Sequence, residues 1–410
     1  MQRAEVIIQI SSLTMGIAAA AGLGDFDSAF AFLAHLISVM LLARAIDVEH
    51  RRVSRAYFLR ADLLFPKEAP YWKVLQANTE GGYWQLVRTN KPTFDLICSK
   101  WNSDRVLWRD GLMEDGAGGV MPRRGRPNML DARGVCALTL AWLGSTGPNN
   151  RLLEQIFGVG HSVTDRDIEE GLDMLIEALQ QIPEAVVQWP SRRKMLEYAA
   201  MIRDACGENP YEPHVHFFCF TDNNRSPTVA APDGEPDVDY NGWVHGHTKN
   251  TNLVFTPDGK IIHMSIGHTG STHDYTTAAT FFEKMNNRAW TPLGMCVLAD
   301  NAFSSRQTWG FVGDRYNFRP PAAALSPIPA ERQRQQTAYR RLHRKARNSV
   351  EHGIRTLTAV WARLKTVMPR DGRLLKKVYT AAAMMHNLNA SFVPGSNQMA
   401  TMYLEAHLRP

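Results

Sequence analysis

Three carboxylates stand where they could do chemistry. Asp222 and Asp300 each follow a short apolar run, HVHFFCFT and GMCVLA, where the chain turns polar. Acids at strand ends are held by rigid backbone, which suits metal ligation. Glu351 lies in the basic stretch RNSVEHGIRTLTAVWARLK. Three such acids can bind two divalent ions that act on a phosphodiester, and hard oxygen ligands favour Mg²⁺ or Mn²⁺ over zinc.

Each acid also has an ordinary explanation, and these alternatives stay open. An aspartate that ends a strand commonly forms an Asx turn. Glu351 has Arg347 four residues before it and Arg355 four residues after it. Such helix ion pairs stabilise by about 0.3–0.5 kcal/mol each. The same helix carries an apolar stripe typical of core packing. Its members are Val350, Ile354, Leu357, Trp361 and Leu364.

The segment around Glu351 has the charge needed to attract a polyanion. Residues 321–370 contain eleven Lys or Arg and two acids. Because carboxylates alone would repel DNA, this positive field is required to bring a phosphate backbone to them. The residues expected to contact phosphates are Arg340, Arg341, Arg344, Lys345 and Arg347, with Arg332 and Arg334 as further candidates.

Histidines suggest a rival metal site. Two strand-like segments carry His pairs, HVH at 214–216 and HGH at 245–247, and His263, His268 and His273 follow. Such a set could serve a hydrolase or an oxygenase. However, the chain has no HExxH motif, and paired histidines on a strand are commonly polar-face residues.

The remaining pattern predicts an α/β domain preceded by helices. TNLVFT and KIIHMSIG flank Pro257-Asp258-Gly259, a hairpin turn signal, and HDYTTAATFFEKM has helical spacing. Upstream, LDARGVCALTLAWLGS and NNRLLEQIFG predict a helix and a short second helix. A Gly turn at 158–160 and a capping box of Ser162 and Asp165 then precede a longer helix that runs to Leu179, so the short helix, turn and longer helix give a helix-turn-helix layout. Because the third helix begins with the acidic TDRDIEEG, a structural or dimerising three-helix domain is an equal alternative to a DNA reader.

The composition limits the classes of protein to which this chain could belong. The 410 residues are 44% hydrophobic and 21% charged, which is ordinary for a globular protein of two or three domains. The net charge of +6 mildly favours an acidic partner. Five scattered cysteines without a CxxC motif argue against a zinc finger and a disulfide scaffold, and they fit a reducing compartment.

The domain division follows from these patterns. Two apolar runs in residues 1–50 predict a pair of packed helices, with a membrane or targeting segment as the alternative. RGRP at 124–127 resembles an AT-hook, and a solvated linker is its alternative. The predicted units are the apolar segment 1–50, helices and linker 51–128, the helix-turn-helix-like domain 129–205, the α/β domain 206–395 and a tail 396–410.

A series of motifs follows in order from Asp222. The chain reads DNNRSPTVAAP, then YNGWVHGHTKN, VFTPDGKII, GSTHD, LADNAFS, ARNSVEHGIRTLTAVWARLK and MMHNLNA. This series resembles the PIF/Harbinger transposases and their domesticated nuclease relatives, the DDE superfamily endonucleases. The similarity is most specific from about residue 215 to 392. It is looser in the upstream helical region, and residues 1–50 show none.

The resemblance implies an RNase H-like α/β catalytic domain, a mixed sheet flanked by helices, behind an N-terminal all-α helix-turn-helix-like domain. It implies a nuclear, metal-dependent endonuclease that cleaves duplex DNA, such as transposon ends, and transfers strands with Mg²⁺ or Mn²⁺. By motif position, Asp222, Asp300 and Glu351 are the catalytic and metal-binding acids. Asp274 and His273 of GSTHD would support them, and His386-Asn387 is expected to pack.

Three positions depart from the family's pattern. Asn223 and Ala299 stand where glycine is usual, and Gly353 stands where an aromatic residue often follows the glutamate. Because all three acids are present, a working metal site is favoured. The alternative is a domesticated, weak or inactive copy that binds DNA or other proteins. A separate DNA-binding partner protein and self-association fit both hypotheses, and a membrane partner is not expected.

Overall fold

Helices occupy the N-terminal part of the described chain. The computed structural model describes residues 63–101, 103–114, 119–122, 128–147, 150–232, 237–303 and 325–407, all within one compact unit, Arg60–Pro410. The predicted helices of residues 1–50 and the RGRP segment lie outside these ranges. Within them, no helix is long and apolar enough to cross a membrane.

Side-chain caps begin several of the upstream helices. Thr79, Asn90, Asp131 and Ser191 each accept a hydrogen bond from a backbone N–H in the first turn that follows, which satisfies a donor that the helix leaves free. The helices are α1 (Pro70–Ala77), α2 (Glu80–Val87), α3 (Lys91–Ser99), α4 (Ser103–Arg109), α5 (Ala132–Leu143), α6 (Arg151–Phe157), α7 (His161–Gln180) and α8 (Arg192–Cys206). A small hairpin, Leu112–Glu114 with Val120–Pro122, follows α4.

The three predicted helices, the second short and the third longer, correspond to α5, α6 and α7. The predicted capping box was wrong: α7 begins at His161 after Gly160, without a side-chain cap. Ser162 therefore already lies within the first turn. Gly171 lets α7 approach α5 closely, since a Cβ there would lie 2.0 Å from Thr139 Oγ1. Whether this region reads DNA stays a prediction.

Part of the acidity of α7 is structural. Arg109, at the end of α4, is buried and donates to Asp167 Oδ1 at 2.9 Å and also to Glu170. A buried guanidinium needs such partners because an unpaired charge in the interior is strongly unfavourable. Two of the acids expected to repel phosphates are thus engaged in holding α4 against α7.

A five-stranded mixed sheet forms the second part. Its central strand is β1 (His216–Pro227), with β2 (Tyr240–Asn241), β3 (Gly246–Phe255), β4 (Ile261–Thr269) and β5 (Met295–Leu298). β1 pairs in parallel with β5 and antiparallel with β3, and β3 pairs antiparallel with β4 and, at its start, with β2. The four buried residues of β5 and the apolar start of β1 fill the interior.

β1 is longer than the apolar run predicts. The strand was expected to end before DNNRSP, but it continues to Pro227. The cause is its antiparallel partner, because β1 pairs with β3 from Phe220–Phe255 to Pro227–Thr248. The hydrogen bonds to β3 hold residues 222–227 in an extended conformation, although their polar sequence does not predict a strand.

The predicted hairpin turn at Pro257-Asp258-Gly259 is confirmed. It joins β3 to β4, and Gly259 has φ +77, a conformation that glycine adopts without strain. The turn is tied down from outside by Tyr198, whose hydroxyl donates to Asp258 Oδ2 at 2.8 Å, and by Asn397, whose side chain donates to Gly259 O at 3.0 Å.

Helices flank the sheet. The segment predicted as one helix after GSTH is broken at Ala278 into α9 (Asp274–Thr277) and α10 (Ala279–Asn286). α11 (Pro329–Val360), α12 (Arg373–Phe392) and α13 (Gln398–His407) complete the described chain. α8 and α11 pack on β1, and α10 and α12 pack on β4. A mixed sheet flanked by helices is compatible with an α/β nuclease domain, and the predicted domain boundaries stay predictions.

The apolar stripe on α11 packs as predicted. Val350, Leu357, Trp361 and Leu364 are buried, and Ile354 packs against the core. Gly353 brings this helix onto the sheet, because a Cβ there would lie only 3.0 Å from the ring of Phe255. An aromatic side chain at position 353 would not fit against Phe255, which explains why this chain has glycine there.

Candidate active site

Asp222 and Asp300 lie at equivalent places on neighbouring parallel strands. The last parallel pair of β1 and β5 is Phe220–Leu298, and each acid stands two residues beyond its strand's member of that pair. The parallel register therefore brings both carboxylates to the same level of the sheet, although Asp300 follows the end of β5 while Asp222 lies within β1, which continues to Pro227. They line one small pocket, with Thr221, Leu298, Ala299, His343, Arg347 and Val350 as its other walls.

Each carboxylate is held by a backbone N–H close to it in the chain. Asn223 N donates to Asp222 Oδ1 at 2.7 Å, and Ala302 N donates to Asp300 Oδ1 at 2.8 Å. Within the described part of the chain, neither Oδ2 receives a protein hydrogen bond. The Asx turn considered for both acids is present at Asp300 and not at Asp222, whose contact is to the adjacent N–H within β1. Each contact uses one oxygen of the acid and leaves the other available.

The electrostatics of the pair favour a cation. Burial raises the pKa of Asp222 to about 6, and the negative charges of Asp300 and Asp274 raise it as well. The Asn223 N–H and the Arg347 guanidinium lower this pKa but do not offset the increase. A positive ion between the acids would favour their ionised forms, since metal ligation requires deprotonated oxygens.

One face of α11 lines the pocket of Asp222 and Asp300. His343 and Arg347, four residues apart, both line the pocket. His343 Nε2 donates to Ala299 O at 2.9 Å, which fixes the backbone immediately before Asp300. The sequence interpretation missed His343. The sequence does contain a pattern that could have identified it. His343, Arg347 and Glu351 are spaced four residues apart, which places all three on one face of a helix.

Glu351 is placed differently from the other two acids. Its Oε1 lies 3.5 Å from Arg347 Nε, its side chain is 42% exposed, and it does not line the pocket of Asp222 and Asp300. The helix ion pair considered for it is therefore present on the Arg347 side. Across the described ranges, no three His, Cys, Asp or Glu side chains are grouped so that they could hold a metal ion.

Asp274 reaches the site through Asn223. Asn223 Nδ2 donates to Asp274 Oδ1 at 2.6 Å and to Thr277 Oγ1 at 2.9 Å, while its Oδ1 accepts from Asn252 Nδ2 at 3.1 Å. The residue directly after Asp222 thus anchors α9 to the sheet. His273 caps α9, since its Nδ1 accepts from Tyr275 N at 3.2 Å, and it faces solvent.

The residues expected to contact phosphates line α11 before Glu351. Arg340, Arg341 and Arg344 are exposed, and the described residues offer them no carboxylate partner. Arg347 is also exposed but pairs with Glu351. Lys345 differs, because its ammonium donates to the carbonyl of Ala205 at the end of α8. The remaining cations give this helix a positive outer face.

The histidines of the rival metal site are dispersed over separate contacts. His247 pairs with Asp237, His263 contacts Thr280, and His268 contacts Ser265. His386 and Asn387, by contrast, pack as expected. His386 Nε2 donates to Gly259 O and Asn387 bonds both backbone groups of Ile261, so these residues hold α12 to the β3–β4 hairpin.

The structure defines an α/β protein in which two acids on adjacent parallel strands of a mixed sheet share one pocket. Residues 225–387 match a family model described as DDE superfamily endonuclease. This match supports the superfamily, and with it a transposase-type nuclease that acts on DNA. The matched range contains Asp274, Asp300 and Glu351 and begins three residues after Asp222. No curated protein and no solved structure matches the chain.

Proposed function

We propose that the chain is a metal-dependent DNA endonuclease of the DDE type, related to the PIF/Harbinger transposases, with an RNase H-like catalytic domain. The observation that carries this proposal is the shared pocket of Asp222 and Asp300, just beyond the last parallel pair of β1 and β5. Its reaction would be hydrolysis of a phosphodiester, with strand transfer when a 3′-hydroxyl replaces water as nucleophile. The proposed substrate, duplex DNA such as a transposon end, would place the protein in the nucleus.

The donor set fits Mg²⁺ or Mn²⁺. Asp222 and Asp300 each offer a carboxylate oxygen without a protein donor, and such hard oxygens are the ligands these ions prefer. When bound, the ions supply Lewis-acid stabilisation of the reacting phosphate and a more acidic nucleophile. Glu351 would complete the set if it exchanges its ion pair with Arg347 for the metal, and it lies one helical turn from that pocket residue.

The chain's own side chains orient the DNA. Arg340, Arg341 and Arg344 would hold phosphates along the exposed face of α11, with Arg347 nearest the acids and Lys345 engaged beside α8. Asn223 would keep Asp222 and Asp274 in fixed relation, and His343 would do the same for the backbone of Asp300. Rigid support of this kind is what a metal site requires.

A plasmid-nicking assay tests the activity. The full chain should nick supercoiled DNA with Mg²⁺ or Mn²⁺, and Asp300→Asn should not. Asp371→Asn, an exposed acid that pairs with Arg373, is the matched control and should cleave normally. Binding of Mn²⁺ measured by calorimetry gives a second readout, which Asp300→Asn should weaken. Equal nicking and equal Mn²⁺ binding by wild type and Asp300→Asn would contradict the proposal.

A second candidate is a domesticated protein that binds DNA or a partner without cleaving it. The observation in its favour is the Arg347–Glu351 ion pair, which keeps the third acid outside the pocket. This hypothesis expects salt-dependent DNA binding without nicking under any divalent ion. It also accommodates a separate DNA-binding partner protein or a homo-oligomer, which co-purification and sedimentation would detect.

A further inference from the structure

Two polar side chains of β1 point to the same face of the sheet as Asp222. β1 pairs with β3 residue by residue from Phe220 to Pro227 without a bulge, and side chains two residues apart in a strand share a face. Asn224 and Ser226 therefore lie on the face of Asp222. Ser226 is fully buried and Asn224 is half-buried, so both need hydrogen-bond partners.

Both side chains find the same partner, the hydroxyl of Tyr379. This tyrosine lies on α12 and is fully buried. Its oxygen is 2.6 Å from Asn224 Nδ2, which donates to it, and 2.8 Å from Ser226 Oγ. Burial raises the pKa of Tyr379, so the hydroxyl keeps its proton.

The direction of these hydrogen bonds can be assigned. Ser226 Oγ donates to the carbonyl oxygen of Leu364 at 3.0 Å. Because a serine hydroxyl has one proton, Ser226 must accept from Tyr379. The chain of hydrogen bonds therefore runs from Asn224 to Leu364, with Tyr379 at its centre.

This chain of hydrogen bonds connects β1 to the segment that ends α11. Leu364 belongs to the short 3₁₀ helix Ala362–Lys365, which directly follows α11. α11 carries His343 and Arg347, which line the pocket of the two acids. The strand that carries Asp222 and the helix that lines its pocket are thus joined through the Tyr379 hydroxyl.

The backbone after Asp222 is held from both faces of the sheet. Asn223 donates to Asp274 of α9 on one face, and Asn224 donates to Tyr379 of α12 on the other. Metal ligands have to be held to within about 0.5 Å of their working positions. Two consecutive asparagines, each bound to a different helix, provide this restraint directly beside the acid.

We propose that Tyr379 is a positioning residue for the metal site. Through Asn224 it holds the backbone beside Asp222, and through Ser226 it ties that strand to the end of α11. This inference rests on the proposed metal-dependent activity. Groups that support metal ligands contribute roughly 10- to 100-fold to metal affinity. The lower end is expected for Tyr379, because it acts through Asn224 and not on the carboxylate itself.

Tyr379→Phe tests this role, since it removes the hydroxyl and keeps the ring. Calorimetry should show Mn²⁺ binding about 10-fold weaker than in wild type. At subsaturating Mn²⁺, cleavage of a synthetic duplex should lose kcat without a change in KM for DNA, because the cations on the outer face of α11 are untouched. A higher Mn²⁺ concentration should restore most of the lost rate.

Asn224→Ala gives an independent measurement of the same hydrogen bond. It should weaken Mn²⁺ binding to a similar extent as Tyr379→Phe. The combined variant should bind Mn²⁺ no more weakly than the weaker single variant, because both changes remove one shared contact. Effects that simply multiply would show that Tyr379 does not act through Asn224 and would overturn the proposal.

Tyr198→Phe is the matched control. Tyr198 is also buried, and its hydroxyl donates to Asp258 Oδ2 at 2.8 Å in the β3–β4 turn, outside the pocket of the acids. Both tyrosine variants should lower the melting temperature, whereas only Tyr379→Phe should weaken Mn²⁺ binding. The role of Tyr379 is overturned if the two variants bind Mn²⁺ equally tightly. If wild type itself binds no Mn²⁺, the proposed function is contradicted and this role with it, which is a distinct result.

Discussion

Arg347 Nε lies 3.5 Å from Glu351 Oε1, while the same arginine lines the pocket that contains Asp222 and Asp300. Arg347 therefore stands between the third acid and the other two. Its charge lowers the pKa of Asp222 and neutralises Glu351. This relationship makes the role of Glu351 a question that a single substitution can answer.

Glu351→Gln should abolish nicking while leaving the free energy of unfolding almost unchanged. The ion pair is exposed on both sides, so its loss should cost no more than about 0.5 kcal/mol. Urea denaturation and the plasmid assay measure the two effects. Glu331→Gln, at the exposed first turn of α11, is the control. If Glu351→Gln cleaves like that control, Glu351 is a salt-bridge residue and not a metal ligand.

Asp222→Asn should stabilise the metal-free protein above about pH 6. The pKa of Asp222 is about 6 in the folded chain against an ordinary value of 3.8. The folded state therefore holds the proton more tightly than the unfolded state does. Its stability should decline as pH rises from about 4 to about 6, by at most about 3 kcal/mol from this group.

The measurement is urea denaturation in EDTA at about pH 5 and about pH 8, where the variant's advantage should be larger at the higher pH. Asp371→Asn should show no such gain. If Asp222→Asn is less stable than wild type at the higher pH, the ionised Asp222 carboxylate does not destabilise the folded state, and the prediction is wrong.

Asn223→Ala should destabilise the fold and loosen α9. The change removes donors to Asp274 and Thr277 and an acceptor for Asn252. Leaving enclosed polar groups without partners costs roughly 1–3 kcal/mol. A double-mutant cycle with Asp274→Ala isolates the contact. The combined variant should lose less stability than the sum of the single variants, whereas simple additivity would mean that the Asn223–Asp274 bond contributes nothing.

Gly270→Ala should be strongly destabilising. An added Cβ would lie 2.2 Å from the carbonyl oxygen of Asp239 and 2.8 Å from that of Thr248. Because both atoms belong to the backbone, the sheet itself would have to shift, at a cost of roughly 1–3 kcal/mol or more. Gly242→Ala, where no atom lies within 4 Å, is the matched control. Similar melting temperatures for the two variants would contradict the packing described for Gly270.

Several features could be predicted from the sequence because their causes are local. The Pro-Asp-Gly turn, the apolar run that opens β1 and the buried stripe of α11 depend on residues a few positions apart. The same signals placed Asp222 and Asp300 directly after apolar runs. Two local predictions were wrong. Pairing with β3 extends β1 through the polar NNRSP, and α7 begins after Gly160, so Ser162 is not its cap.

The assembly of the site was decided by tertiary structure. Nothing in either apolar run specifies that Phe220 pairs with Leu298, yet that register is what brings Asp222 and Asp300 into one pocket. The docking of α11 then adds His343 to the pocket and pairs Glu351 with Arg347. The sequence by itself determined which acids are available and the charge around them. Only packing between segments far apart in the chain decided which of them meet, because register and helix docking depend on the whole buried interface.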